Sequence, residues 1–176
     1  MKQKAIINSE IKARCDDHAK IRDYLLEHGA DYKGTDHQID TYFNVSGGRL
    51  KLRQGSIENN LIFYTRNDDT GPKQSEISLS AVEKESTIGA VLAKALGVKV
   101  QVDKEREIYF IDNVKFHIDT VKNLGTFMEI EAIDWDGSIG TDKLQEQCEY
   151  YAKAMNIAKK DLVKGSYSDL LIELAK

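Results

Sequence analysis

Arg49-Leu50-Lys51-Leu52-Arg53 alternates cation with leucine at the two-residue period of a β-strand, and three further stretches follow the same grammar with different charges. They are Asn8-Ser9-Glu10-Ile11-Lys12-Ala13-Arg14, Lys104-Glu105-Arg106-Glu107-Ile108, and Phe127-Met128-Glu129-Ile130-Glu131-Ala132-Ile133. Side chains at i, i+2 and i+4 of a strand share one face of the sheet. Glu10, Lys12 and Arg14 therefore converge, as do Arg49, Lys51 and Arg53, and as do Glu129 and Glu131. Leu50, Leu52, Met128 and Ile130 point the other way, so one face of the sheet is ionic and the opposite face apolar.

An antiparallel sheet with one wet face shows the same alternation. Segregation of charge separates these strands from a merely solvated face: cations gather on some strands and paired carboxylates on others, with few neutral Thr, Ser or Gln residues between them. Like charges paired on one strand face repel unless something of opposite sign sits between them. A divalent cation between the carboxylates and a polyanion between the Lys and Arg side chains meet that need.

Working outward, Asp16 and Asp17 cap a helix from about residue 17 to Gly29, with Ile21, Tyr24 and Leu25 on its buried side. The polar stretch Gly34-Thr35-Asp36-His37-Gln38 reads as a loop, and His18 and His28 as surface residues. Strands follow at Thr41 to Asn44, Arg49 to Arg53, Leu61 to Arg66 and Gln74 to Leu79, with turns at 46–48, 55–60 and 67–72. Ser86 opens a helix to about Leu96, ended by Gly97. Strands resume at Val98 to Val102, Lys104 to Ile111, Val114 to Asp119 and Thr126 to Ile133, and Thr141 caps a longer helix through about Met155. Strands and helices do not strictly alternate, which predicts an α+β fold with a mainly antiparallel sheet and helices on its apolar face. Closing that sheet into a β-barrel removes its edges and wraps the ionic face around a polar lumen.

A chain of 176 residues, with one proline and 12 scattered glycines, fits a single domain over 1–176 without a linker. No apolar run approaches a membrane span, and Met1-Lys2-Gln3-Lys4 is followed by too little apolar sequence for a signal peptide, so a cytoplasmic protein is expected. Cys15 and Cys148 read as reduced thiols. The net charge of −4 argues against nucleic acid as partner, and a mildly acidic exterior around concentrated strand cations suggests an enclosed anion pocket. Apolar helix faces can support a homodimer. The Gly-x-x-x-x-Gly-Lys-Ser/Thr loop of conventional NTPases does not occur.

Over nearly its whole length the chain resembles the CYTH superfamily of triphosphate tunnel metalloenzymes, which includes class IV adenylyl cyclases and thiamine triphosphatases. The likeness rests on Glu10-Ile11-Lys12-Ala13-Arg14, Asp40-Thr41-Tyr42-Phe43-Asn44, Gly48-Arg49-Leu50-Lys51-Leu52-Arg53, Gly71-Pro72-Lys73-Gln74-Ser75, Phe127-Met128-Glu129-Ile130-Glu131 and Ser166-Tyr167-Ser168-Asp169-Leu170-Leu171. It implies a closed antiparallel barrel of about eight strands with helices outside, which binds a triphosphate-containing small molecule with Mg²⁺ or Mn²⁺. Glu10, Glu129 and Glu131 match the metal carboxylates. Lys12, Lys51, Arg53, Lys104 and Arg106 match the phosphate-binding cations, to which Arg49, Arg66 and Lys73 are added as candidates. Glu10, Lys12 and Asp119 form the candidate catalytic group, Asp119 sharing a strand face with Lys115 and His117, and His117 is a candidate for proton transfer. The chain departs from the family's amino-terminal Glu-x-Glu-x-Lys in carrying Asn8 at the first position, a residue that offers a neutral oxygen but no negative charge. Hydrolysis of a triphosphate, cyclisation of ATP with release of pyrophosphate, and non-catalytic binding of polyphosphate or nucleotide are the functions this site can serve.

Overall fold

The computed structural model describes residues 6–66 and 72–176. Eight antiparallel strands close on themselves in the order β1-β5-β4-β3-β2-β6-β7-β8. They are β1 (Ile6–Arg14), β2 (Asp31–Phe43), β3 (Arg49–Gln54), β4 (Asn60–Arg66), β5 (Lys73–Ala81), β6 (Val98–Ile111), β7 (Val114–Val121) and β8 (Gly125–Asp134). Helices α1 (His18–Glu27), α2 (Ile88–Leu96), α3 (Thr141–Ala154) and α4 (Tyr167–Leu174) lie outside, with a 3-10 turn at Lys159–Asp161.

The alternation read from sequence decides which side of each strand meets the helices. Ile11, Phe116, Ile118, Met128 and Ile130 point outward and pack with Ile21 and Leu25 of α1 and Leu144 and Cys148 of α3. Each such side chain contributes about 1.5–3 kcal/mol by leaving water. Over β3, Leu52 is buried beneath α2, where a Cβ on Gly89 would come within 2.9 Å of the leucine Cδ2. A glycine is what allows that close approach. The α1 start forms as expected: the Asp17 side chain accepts the Lys20 N–H at 3.1 Å. Helix α4 starts with a capping box in which Ser166 and Asp169 exchange side-chain and backbone bonds.

Three local readings change. The polar stretch 34–38 is part of the long strand β2, paired with β6 along its length. Asp36 and Gln38 face inward, while Thr35 and His37 alternate to the outside: Asp36 accepts the backbone N–H groups of Ser56, Ile57 and Glu58, and Gln38 donates to both Asp36 and Glu58. A buried carboxylate thus holds the turn between β3 and β4, a long-range task invisible to a rule that equates polarity with loops. Likewise, β6 is one strand through Asp103, because Asp103 faces outward and meets His37 and Lys122. Two helix starts also shift: the helix expected from Ser86 begins at Ile88, after Thr87, and Thr141 is the first residue of α3, with Gly140 in the cap position and no side-chain cap bond. Of the turn expected at 67–72, only Pro72 lies within the described residues.

Candidate functional site

The inner faces of the strands enclose a cavity of about 140 Å³. Eight strands leave an interior that side chains fill or that holds one small ligand, and here a space remains. Lys12, Lys51, Arg53, Lys104 and Arg106 line it, together with Glu10, Glu129 and Glu131. Four candidates stand back from its wall. Arg49 pairs with Asp169 of α4 at 2.9 Å, Arg66 with Glu10, and Lys73 donates to the carbonyl of Val163 at 2.9 Å. Asp119 sits behind Arg106, accepting from it at 2.7 and 2.6 Å and from the Tyr167 hydroxyl at 2.7 Å.

On the wall made by β2, β3 and β6, a single carboxylate holds three cations. Asp40 accepts from Arg53 at 2.8 and 2.9 Å, from Lys51 at 3.0 Å and from Lys104 at 2.9 Å. Burial alone would raise its pKa, but the charges of Arg53, Lys104 and Lys51 outweigh burial and hold it well below the usual carboxylate range. The cations remain in excess. Burial, with the neighbouring charges of Arg53, Arg106 and Lys51, brings Lys104 down to about 7 despite the attraction of Asp40.

Glu58 and Lys115 extend this network and were not singled out as site residues from sequence. Glu58 accepts from Arg53 at 2.8 Å and also from Lys115. It comes from the turn between β3 and β4, where nothing in the local pattern marks a lumen residue. Asp40 stood only inside a family motif, although its i+2 spacing from both Gln38 and Tyr42 places it on their face.

The wall made by β1 and β8 is different. Glu129 is neutralised: it meets Lys12 at 2.5 Å, Arg106 at 2.9 Å and His117 Nδ1 at 2.9 Å, and against the effect of burial these partners hold it well below its ordinary value. An ionised Glu129 accepts, so the Nδ1 of a neutral His117 donates. Burial, Arg106 and Lys115 depress the imidazole to about 3, which keeps it neutral at physiological pH. Two residues along, Glu131 stands directly across the β1–β8 ladder from Glu10. Its pKa is raised by burial and by the charges of Glu10 and Glu129, in spite of Lys115 and of the Asn8 amide, which donates to it at 2.6 Å. The Asn8 carbonyl oxygen is buried with no hydrogen-bond partner.

Glu10, Glu131 and the Asn8 oxygen are hard oxygen donors, and a raised carboxyl beside an orphaned amide oxygen is what a missing divalent cation would leave behind. The residues present therefore fit Mg²⁺ or Mn²⁺. Among the described residues no group of three His, Cys, Asp or Glu side chains is arranged as a metal site, so the fit rests on Asn8 completing the pair of glutamates.

One end of the lumen is closed by the carboxy-terminal segment. Val163 N–H donates to the Lys12 carbonyl at 2.9 Å, Leu162 bridges Ala13, and Tyr167 forms part of the cavity wall with the Lys12 ammonium 3.8 Å from its ring centroid. No helix among the described residues is long and apolar enough to cross a membrane.

A closed eight-stranded barrel with an ionic lumen is the architecture of the triphosphate tunnel fold, and residues 7–167 match the CYTH domain. The chain belongs to the CYTH family, whose members generally bind triphosphates and depend on a metal. It is 31% identical to a Methanocaldococcus jannaschii protein named "Putative adenylate cyclase", over 94% of this chain and 98% of that one. Among solved structures it superposes on the PH1012 protein of Pyrococcus horikoshii with a TM-score of 0.77 at 22% identity, covering 93% of this chain and 98% of that one. A conserved hypothetical protein of Pyrococcus furiosus gives 0.77 at 19% identity, over 93% and 99% of the two chains.

Proposed function

We propose that the lumen binds the phosphate chain of a triphosphate beside a divalent cation and that the protein hydrolyses it. The observation that carries this reading is the opposite imbalance of two facing walls: excess cations around Asp40 on one, and on the other Glu131 placed directly across from Glu10 with the Asn8 oxygen left unpartnered. Lys51, Arg53 and Lys104 exchange part of their bonding to Asp40 for phosphate oxygens. Lys12 and Arg106 do the same from Glu129, which frees part of that carboxylate's bonding. Glu10, Glu131, Glu129 and the Asn8 oxygen would hold the divalent ion, which would supply charge neutralisation at the phosphate chain. Phosphoryl transfer depends mostly on positioning and on neutralising charge, and these residues provide both. Asp119 acts as a positioning residue: its two bonds orient the Arg106 guanidinium, and the Tyr167 hydroxyl fixes Asp119 in turn. Arg49, Arg66 and Lys73 set the outer limits of the cage through their contacts with Asp169, Glu10 and the Val163 carbonyl.

Cyclisation of ATP is the second reading, favoured by the name of the M. jannaschii relative. The same cage serves both reactions, which differ in whether water or a ribose hydroxyl attacks. A screen of ATP, inorganic triphosphate and thiamine triphosphate with Mg²⁺ and Mn²⁺ separates them by product. Orthophosphate is the expected product; cyclic AMP with pyrophosphate would replace hydrolysis by cyclisation, and binding without turnover would make the protein a binding module.

A further inference from the structure

The lumen has a polarity gradient that a phosphate chain alone does not use. Along the inner face of β1 the residues run Ile6, Asn8, Glu10, Lys12, and from the same end Trp135, just past β8, is followed along that strand by Ile133, Glu131 and Glu129. Each ladder therefore passes from apolar to ionic as it enters the barrel. The apolar end continues around the wall: Ile6 pairs with Ile77 of β5, and Leu79 of β5 with Ile62 of β4, all lining the same cavity. The ionic end is the one closed by Tyr167 and the Val163 contacts.

Trp135 stands at the apolar mouth, 55% exposed although it lines the cavity. An exposed tryptophan against an apolar wall leaves a large flat surface in water. The loop that carries it is fixed. The preceding Asp134 carboxylate accepts the N–H groups of Gly137 at 2.8 Å, Ser138 at 3.1 Å, Ile139 at 3.2 Å and Gly140 at 3.0 Å. The indole is thus presented by a rigid loop, and stacking on it costs little ordering.

We infer that Trp135 and the wall of Ile6, Ile62, Ile77, Leu79 and Ile133 form a subsite for a flat, largely apolar or heteroaromatic group, so that the substrate is an organic triphosphate rather than inorganic triphosphate. The inference rests on the proposed function and fixes the ligand's direction. The terminal phosphate lies toward Lys12 and Tyr167, and the ester-bearing phosphate lies toward Asn8 and the mouth. An organic group linked to the phosphate chain is the occupant because the apolar wall joins the ionic lumen without a break, and small polar anions gain nothing from it.

Trp135 is the chain's single tryptophan, so its fluorescence reports this subsite alone. Protein freed of metal by chelation is titrated with inorganic triphosphate, ATP, CTP and thiamine triphosphate, with emission and heat followed together. At least one organic triphosphate is expected to quench or shift the emission and to bind about tenfold more tightly than inorganic triphosphate, the scale of one ring stacked on an aromatic side chain. In Trp135→Ala, calorimetry should show that advantage gone with inorganic triphosphate affinity unchanged. Organic triphosphates that bind no tighter than inorganic triphosphate and leave the emission unchanged would overturn the subsite while leaving the phosphate cage standing. Survival of the advantage in Trp135→Ala would overturn it equally. Failure of every triphosphate to bind would instead remove the proposed function, and the subsite with it.

Discussion

The Asp40 cluster and the Asn8–Glu10–Glu131 corner face each other across one lumen and depart from charge balance in opposite directions. Around Asp40 one carboxylate serves Lys51, Arg53 and Lys104, with Arg53 shared with Glu58, and burial together with the neighbouring cations brings Lys104 down to about 7. In the corner the mismatch appears as a raised Glu131 and an amide oxygen with no partner. Each imbalance costs folding free energy, since buried charges are expensive unless fully paired. The barrel thus tolerates two complementary defects, each of which a ligand of opposite sign removes.

Removing Asp40 should break the balance most severely. Asp40→Asn takes the partner carboxylate from Lys51 and Lys104 and leaves Arg53 with Glu58 alone, and the expected loss is about 3–5 kcal/mol of unfolding free energy in urea titrations. Added inorganic triphosphate should recover part of it, because an anion bound only by the folded state stabilises it. A variant as stable as wild type would mean that water already screens these cations.

Next come two mirror-image changes that separate the walls. Lys51→Ala should weaken inorganic triphosphate binding by about 1.5–3 kcal/mol, as for a desolvated charge-assisted contact, while leaving Mn²⁺ affinity in the absence of triphosphate unchanged. Glu131→Gln should abolish Mn²⁺ binding and metal-dependent turnover without loss of stability. Because the folded pKa of Glu131 is raised, its contribution to stability is fully present below its unfolded value and is lost as pH rises through the folded value. The variant should lack this component of the pH dependence. Equal losses of both ligands in both variants would merge the two walls into one undivided site.

The smallest effect concerns Lys104. With a pKa of about 7 in the free protein, it is mostly neutral at pH 8, and a polyanion beside it should draw a proton from solution. Calorimetric titrations with triphosphate at pH 8, in two buffers of different ionisation enthalpy, should show uptake of up to about one proton. Lys104→Arg should take up none. The same depressed value makes the Lys104 contribution to stability increase as pH rises between its folded and unfolded values.

The barrel and its ionic lining were legible in the sequence because a two-residue period is local and the lining residues Lys51, Arg53, Glu129 and Glu131 lie on alternating strands. Asp36 and Glu58 were not legible. Asp36 sits in a stretch as polar as a loop, and its role is to accept backbone bonds from residues 20 and more positions away. Glu58 reaches the lumen from a turn, where no periodicity applies. The division of labour between Glu129 and Glu131 was equally hidden: both occupy the same strand face, and only their neighbours across the ladders, His117 and Lys12 for one and Lys115 and Glu10 for the other, set them apart. The carboxy-terminal closure was legible only as part of a family motif, since the packing of Tyr167 over Lys12 is a contact between chain ends.

The central claim is that one lumen holds a divalent cation at the β1–β8 corner and a phosphate chain on the cations opposite. Anomalous diffraction from crystals soaked with Mn²⁺ and inorganic triphosphate tests it most directly. The expected result is one manganese peak coordinated by Glu10, Glu129, Glu131 and the Asn8 oxygen, with phosphate density against Lys51, Arg53 and Arg106. Manganese bound only outside the barrel, or phosphate density away from those three side chains, would contradict it.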